Sequence, residues 1–204
     1  MIGLMGGTFN PIHYGHLRPA LEVADVLGLD EVRFIPAKQP PLRDEPCVSA
    51  EHRSKMVKLA IQNESKFVLD ERELHRKNMS YSVDTLQSLR EELGDNIPLC
   101  WMMGADAYQR FSQWHQWEKI LQLTHLVVSH RPNYLLDNNQ LERHHATELS
   151  DLSTTLAGKI FFVPVTQLDI SATMIRENLK NNRNVRYLLP DAVYNYINEN
   201  NLYS

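Results

Sequence analysis

Two stretches near opposite ends of the chain hold residues suited to gripping phosphate. The first is Gly6-Gly7-Thr8-Phe9-Asn10-Pro11-Ile12-His13-Tyr14-Gly15-His16. Paired glycines let the main chain approach a phosphate closely. A helix starting near Tyr14 would aim its unpaired N–H groups, and the positive end of its dipole, at the same place. His13 and His16 are three residues apart, so both imidazoles can face that point and donate to phosphate oxygens without an obligatory charge. The second stretch is Asp169-Ile170-Ser171-Ala172-Thr173-Met174-Ile175-Arg176. Ser171 is placed to cap a helix, Thr173 offers a hydroxyl in its first turn, and Arg176 presents a planar fork one turn later. Taken alone, this second stretch reads equally as a plain helix cap with a surface arginine. The glycine turn lacks G-x-x-x-x-G-K-[ST] and G-x-G-x-x-G, which sets aside a Walker phosphate loop and ordinary dinucleotide binding. Zinc at His13 and His16 would need a third ligand, and none stands at a telling spacing.

These residues need elements to hold them. Ile2 to Met5 is a short apolar run ending at Gly6-Gly7. Leu17, Ala20, Leu21, Ala24 and Leu27 then recur at helical spacing, and Gly28 is a helix stop. Val32 to Ile35, Phe67 to Leu69, Leu99 to Met103, Leu126 to Val128 and Ile160 to Val165 read as further strands. Between them lie a helix capped by Ser49, with Met56, Leu59 and Ala60 facing inward, and another marked by Val83, Leu86, Leu89 and Leu93 and closed by Gly94. Ile175 and Leu179, then Val193 and Ile197, mark two closing helices. Short, almost continuously apolar strands separated by helices predict a parallel sheet buried on both faces. The expected fold is α/β, Rossmann-like and doubly wound, with a C-terminal helical part over about 170–204. Ligands of such a sheet bind beyond the carboxyl ends of its strands, where both phosphate stretches fall. Lys38 to Pro46, with three prolines among charges, reads as a surface loop. Asn133 to Gly158 is polar and reads as an irregular helical excursion, its His144-His145 pair solvated rather than metal-binding.

The chain has 204 residues, 43% hydrophobic and 23% charged. That length suits one domain, 1–204, able to bury a core without staples. The formal net charge of −4 supplies no global pull toward nucleic acid, so a phosphate site must be local. Cys47 and Cys100 form no CxxC pair, which fits a reducing cytoplasm. The N-terminus lacks the pattern of a signal peptide, and no stretch is apolar enough for a membrane span.

Gly6 to His16 resembles the His-x-Gly-His signature of the nucleotidyltransferase superfamily, and Ile170 to Arg176 resembles its partner, Ile-Ser-Ser-Thr-x-Ile-Arg. Ala172 replaces a frequent serine there, which removes one possible hydroxyl contact. Ile35-Pro36-Ala37-Lys38 resembles the family's phosphate-binding lysine loop. Arg72-Glu73-Leu74, Ser80-Tyr81-Ser82-Val83-Asp84-Thr85-Leu86, Met103-Gly104-Ala105-Asp106 and Trp114 resemble the acceptor segments of bacterial nicotinate-nucleotide adenylyltransferases. Val185 to Pro190, with Tyr196-Ile197, matches their tail. The resemblance spans essentially the whole chain.

What the resemblance implies is adenylyl transfer from ATP to nicotinate mononucleotide, giving nicotinate adenine dinucleotide and pyrophosphate for NAD biosynthesis. His16, His13 and Arg176 would be catalytic. ATP would be held by Gly6, Gly7, Thr8, Phe9, Asn10, His13, His16, Lys38, Gly104, Asp106, Ile170, Ser171, Thr173 and Arg176. Asp106 would accept from a ribose hydroxyl, or cap the short helix after it, or do both. Tyr81, Thr85, Trp114 and His115 would bind the acceptor, although Trp114, Tyr81 and His115 read by themselves equally as packing. Thr85 and main-chain N–H groups near Trp114, with no acidic side chain beside them, would favour the nicotinate carboxylate over the amide. Mg2+ would ride on the ATP phosphates without a carboxylate cage. The partners would be ATP and nicotinate mononucleotide, not nucleic acid or a membrane, with the chain a monomer or homodimer. A nicotinamide mononucleotide or phosphopantetheine acceptor is the alternative, although phosphopantetheine enzymes are shorter and lack the Ser80 to Leu86 segment. A non-catalytic nucleotide sensor would be expected to lose a signature histidine or Arg176, and a tRNA synthetase fragment should carry Lys-Met-Ser-Lys-Ser; neither pattern is present.

Overall fold

The central strands alternate their side chains between two apolar layers, which is what helices on both faces of a sheet require; at the edge, Phe67 and Leu69 face one layer while Val68 is exposed. In the computed structural model, which describes residues 1–39, 45–76, 79–131, 139–166 and 168–203, the strands are β1 (Ile2–Gly7), β2 (Glu31–Pro36), β3 (Phe67–Leu69), β4 (Leu99–Gly104), β5 (His125–His130) and β6 (Ile160–Pro164). They form one sheet in the order β3-β2-β1-β4-β5-β6, with every pairing parallel. The helices are α1 (Tyr14–Leu27), α2 (Ala50–Ile61), α3 (Ser82–Leu93), α4 (Ala105–Tyr108), α5 (Trp117–Leu123), α6 (Ser150–Thr154), α7 (Ala172–Lys180) and α8 (Asp191–Glu199).

One layer joins Val32, Phe34, Cys100, Met102 and Val127 of the sheet to α1, α2, α7 and α8. The other joins Ile2, Leu4, Leu99, Trp101, Met103, Leu126 and Val128 to α3 and α5. The sheet order reverses between β1 and β4, and this is the crevice where ligands of such sheets bind. The doubly wound expectation is met, with strand ends within a residue or two of their expected places. Ser49 accepts from the His52 N–H and caps α2, Ser171 likewise caps α7 through the Met174 N–H, and Gly28 ends α1 at φ 61°.

Three local expectations change. The inner face of α2 is Arg53, Ser54, Met56, Val57 and Ile61, whereas Leu59 and Ala60 are only half-buried. The His144-His145 pair is half-buried rather than solvated. His144 bonds the Gly158 carbonyl, while His145 meets the Tyr108 hydroxyl and the edge of Phe162. The polar excursion does carry helix, as a 3-10 turn at Asn139–His144 and as α6; its part at 132–138, like 40–44 of the proline loop, lies outside the described residues.

Candidate active site

β1 ends in a turn where Phe9 takes φ 47°, a left-handed conformation uncommon for a bulky residue. Its buried ring lies under Gly7, where a Cβ would come within 2.9 Å, and meets His16 edge-on at 5.2 Å. His13 is the N-cap of α1, and its main-chain N–H donates to Nδ1 of His16 at 3.3 Å. That bond makes Nδ1 of His16 an acceptor, so a neutral His16 carries its proton on Nε2, the donor a phosphate oxygen needs. His13 stacks behind it at 3.8 Å between ring centroids and is only 4% exposed. Burial pushes the His13 pKa down to about 4, so it is neutral at physiological pH. Its Nδ1 is buried without a hydrogen-bond partner, which favours the tautomer with a bare Nδ1 and the proton on Nε2.

Gly15 joins the two phosphate stretches. A Cβ there would meet the His13 ring at 2.9 Å and the Ile170 carbonyl oxygen at 3.0 Å, so only glycine lets α1 touch the loop before α7. Arg176 completes the junction by donating to the Asn10 carbonyl at 2.8 Å and to the Thr173 hydroxyl at 3.2 Å. Two helix N-termini, α1 and α7, thus converge with His16, Ser171, Thr173 and Arg176 between them. Residues 160 positions apart in sequence (His16 to Arg176) thus come together, and their donors and the two helix N-termini have the chemistry that suits an anion.

Lys38 follows β2, beside the same turn, because the Ala37 N–H donates to the Gly7 carbonyl. Its ammonium donates to the Arg76 carbonyl at 3.0 Å. The Asn10 carboxamide accepts from the Tyr203 hydroxyl at 2.7 Å, so its oxygen serves the turn rather than a ligand. Thr8 contributes its carbonyl to Arg53 at 2.7 Å. Gly6 lies against the Trp101 ring, at 2.8 Å from where a Cβ would sit. Beyond β4, Gly104 is the N-cap of α4 and Asp106 is an exposed first-turn residue making no cap bond. The capping alternative for Asp106 is therefore corrected, and its carboxylate faces solvent at the crevice mouth.

The acceptor residues fall into two groups. Tyr81 stacks on exposed His115 at 4.5 Å, and half-buried Trp114 meets Trp101 edge-on at 6.5 Å. Thr85 differs from expectation. It is fully buried, its hydroxyl donates to Glu73 at 2.6 Å, and it accepts from Arg76 at 2.8 Å. The expected absence of an acidic neighbour is thereby corrected: Glu73, 4% exposed, stands directly against Thr85. Burial pushes the Glu73 carboxyl up, opposed by the Thr85 and Ser80 hydroxyls and by Arg76. Arg72 is turned away into ion pairs with Asp70 and Glu92. Among the described residues, no three His, Cys, Asp or Glu side chains cluster as a metal site.

Sequence reasoning missed Arg53, Arg76 and Tyr203, and named Glu73 without a role. A signal existed for Arg53, which lies one helical turn before Met56 on an apolar stripe.

A cytidylyltransferase-like family model matches residues 4–178. Proteins named probable nicotinate-nucleotide adenylyltransferase are similar over their full length. The one from Aeromonas salmonicida is 47% identical, covering 99% of this chain and 96% of the relative. The one from Hydrogenovibrio crunogenus is 48% identical, covering 100% and 97%. This chain belongs to the cytidylyltransferase-like family, among its nicotinate-nucleotide adenylyltransferases. Its fold is also that of Plasmodium falciparum nicotinic acid mononucleotide adenylyltransferase solved with APC, at TM-score 0.73 and 20% identity over 99% of this chain and 96% of that one. The same enzyme solved with NaAD aligns at TM-score 0.72. The family model ends at 178, soon after Arg176, so both phosphate stretches lie inside the matched region.

Proposed function

We propose that this protein transfers the adenylyl group of ATP to nicotinate mononucleotide, releasing pyrophosphate and forming nicotinate adenine dinucleotide for NAD biosynthesis. The observation that carries the reading is the convergence of the α1 and α7 N-termini around His16 and Arg176, in a chain similar over its full length to nicotinate-nucleotide adenylyltransferases. A phosphate oxygen of the acceptor attacks the α-phosphorus, the bond to the β-bridging oxygen breaks, and its electrons leave with pyrophosphate. The nucleophile is already an anion, so no covalent enzyme intermediate is needed and the protein supplies position and charge stabilisation.

In this reading Nε2 of His16 donates to an α-phosphate oxygen as charge builds there. His13 holds the His16 ring and the helix start. Ser171, Thr173, Arg176 and the first N–H groups of α7 hold the β- and γ-phosphates, with Lys38 turning from the Arg76 carbonyl toward them. Asp106 accepts from a ribose hydroxyl. Trp114, Tyr81 and His115 supply flat faces near the pyridine ring. Histidine, arginine, lysine and hydroxyl donors fit an anion rather than a cation. Mg2+ therefore travels on the triphosphate, and no step is assigned to a protein-held metal. Reaction in the cytoplasm is part of the same proposal.

The test is chromatography of the purified protein with ATP, magnesium and one acceptor at a time. Nicotinate mononucleotide should yield the dinucleotide and one pyrophosphate per turnover. Product with phosphopantetheine and none with either pyridine mononucleotide would overturn the assignment.

A further inference from the structure

Among the described residues Arg53 is the largest fully buried side chain, at 1% exposure, yet it lies on α2 and outside every stretch named above for phosphate. A buried guanidinium must satisfy its donors inside the protein. It does so on main-chain carbonyls alone among the described residues. Nη1 donates to Thr8 and to Ala37, both at 2.7 Å, Nη2 donates to Lys38 at 3.1 Å, and Nε donates to Val48 at 3.3 Å. Thr8 belongs to the β1–α1 turn, whereas Ala37 and Lys38 begin the loop after β2. One rigid fork therefore sets the separation of two segments that approach the same triphosphate from different strands.

We infer that Arg53 is a positioning residue of the ATP half: it locks the turn that leads into α1 and His16 to the loop bearing Lys38, so that both meet one triphosphate. The inference rests on the adenylyl-transfer reading. Geometry explains why arginine is used. Lysine keeps the charge but concentrates its three donors at one point and cannot span carbonyls on two segments. No carboxylate takes part in these bonds, so the positive charge is left beneath the turn, where it adds to the two helix dipoles. Glu73 bonds the Thr85 and Ser80 hydroxyls, and Ser80 also accepts from the Lys38 N–H at 3.1 Å, so the Lys38 loop is held on one side by Ser80 and on the other by Arg53, whose own bonds among the described residues reach only the β1–α1 turn and the segments flanking α2.

The experiment is steady-state kinetics of Arg53→Lys and Arg53→Gln with each substrate varied in turn, alongside melting curves. KM for ATP should rise about tenfold or more in both variants, with KM for nicotinate mononucleotide within about twofold of the unmutated protein. A purely structural role would lower the active fraction and kcat while leaving both KM values in place, and that result would overturn the inference. So would an Arg53→Lys protein with unchanged KM for ATP. Should neither variant fold, hydrogen exchange on the unmutated protein with a non-hydrolysable ATP analogue decides. Residues 6–16 and 35–39 should gain protection together, and protection of the first stretch alone would contradict the lock. If the unmutated protein makes no dinucleotide, the proposed function fails; if it does and the variants keep their KM for ATP, only the Arg53 inference fails.

Discussion

The half of this crevice proposed for ATP and the half proposed for the acceptor are held by different kinds of bond. On the ATP side, Arg53, Arg176 and Gly15 act on main chain: Arg53 on the Thr8, Ala37 and Lys38 carbonyls, Arg176 on the Asn10 carbonyl, and Gly15 by close approach to the Ile170 carbonyl. On the acceptor side, the central bonds run between side chains, from Arg76 to Thr85 and from Thr85 to Glu73. Main-chain ties fix where helix N-termini point, which is what a triphosphate reads. Side-chain ties can exchange partners through a rotamer change, without moving an element. A site with one rigid and one re-bondable half can hold the common co-substrate in a fixed pose and set acceptor choice locally.

The largest expected break comes from His16→Ala. A donor used mainly as charge develops contributes roughly 10²–10³-fold to kcat. Steady-state pyrophosphate release should show that loss with only a small change in KM for the acceptor, and near-normal turnover would remove His16 from the rigid half's chemistry.

Next is the pH dependence that buried His13 imposes. Its folded pKa is about 4, against an ordinary 6.5. Above pH 6.5 the imidazole is neutral in both folded and unfolded chains, and the fold bears no penalty. As pH falls from 6.5 toward 4, the unfolded chain binds a proton that the folded chain refuses, so stability drops; below about 4 both are protonated and the loss levels off. The full drop is ~3 kcal/mol. Urea melts at pH 7.5 and 4.5 should show a steeper decline for the unmutated protein than for His13→Gln, whereas parallel declines would place His13 in water.

Gly15→Ala sharpens the junction between α1 and the Ile170 loop. The added methyl meets a main-chain oxygen at 3.0 Å, and overpacking of this kind costs about 1–3 kcal/mol. The melting temperature should fall, and KM for ATP should rise while KM for the acceptor holds. A silent substitution would mean the two phosphate stretches do not depend on this contact.

The smallest effect is expected on the re-bondable side. Thr85→Val leaves buried Glu73 short of a donor and half-buried Arg76 short of an acceptor, worth on the order of 1–3 kcal/mol or about tenfold in specificity. The kcat/KM preference for nicotinate over nicotinamide mononucleotide should shrink, with KM for ATP unchanged. An equal loss toward ATP would show that the two halves are not separate.

The same contrast governs how far the sequence could be read. Strand and helix positions follow from apolar periodicity, so β3 and the start of α1 fall where the pattern puts them. His16, Ser171 and Arg176 could be singled out because residue type and spacing close to a helix start are visible in the sequence. Arg53 and Tyr203 were missed because they bond carbonyls and amides distant in sequence, a pairing no periodicity encodes. Thr85 was read as a donor to the acceptor because its partner Glu73 stands twelve residues away across a turn whose path the pattern does not set. The long-range ties, rather than the local signatures, were invisible before the fold.

The most direct test of the central claim is a crystal structure of the unmutated protein with a non-hydrolysable ATP analogue. The account places the α-phosphate within hydrogen-bond reach of Nε2 of His16, and the β- and γ-phosphates between the N-terminus of α7, Thr173 and Arg176, with Thr8 still bonded to Arg53. A triphosphate seated away from His16 and Arg176, or bound against the Glu73–Thr85 pair, would contradict it.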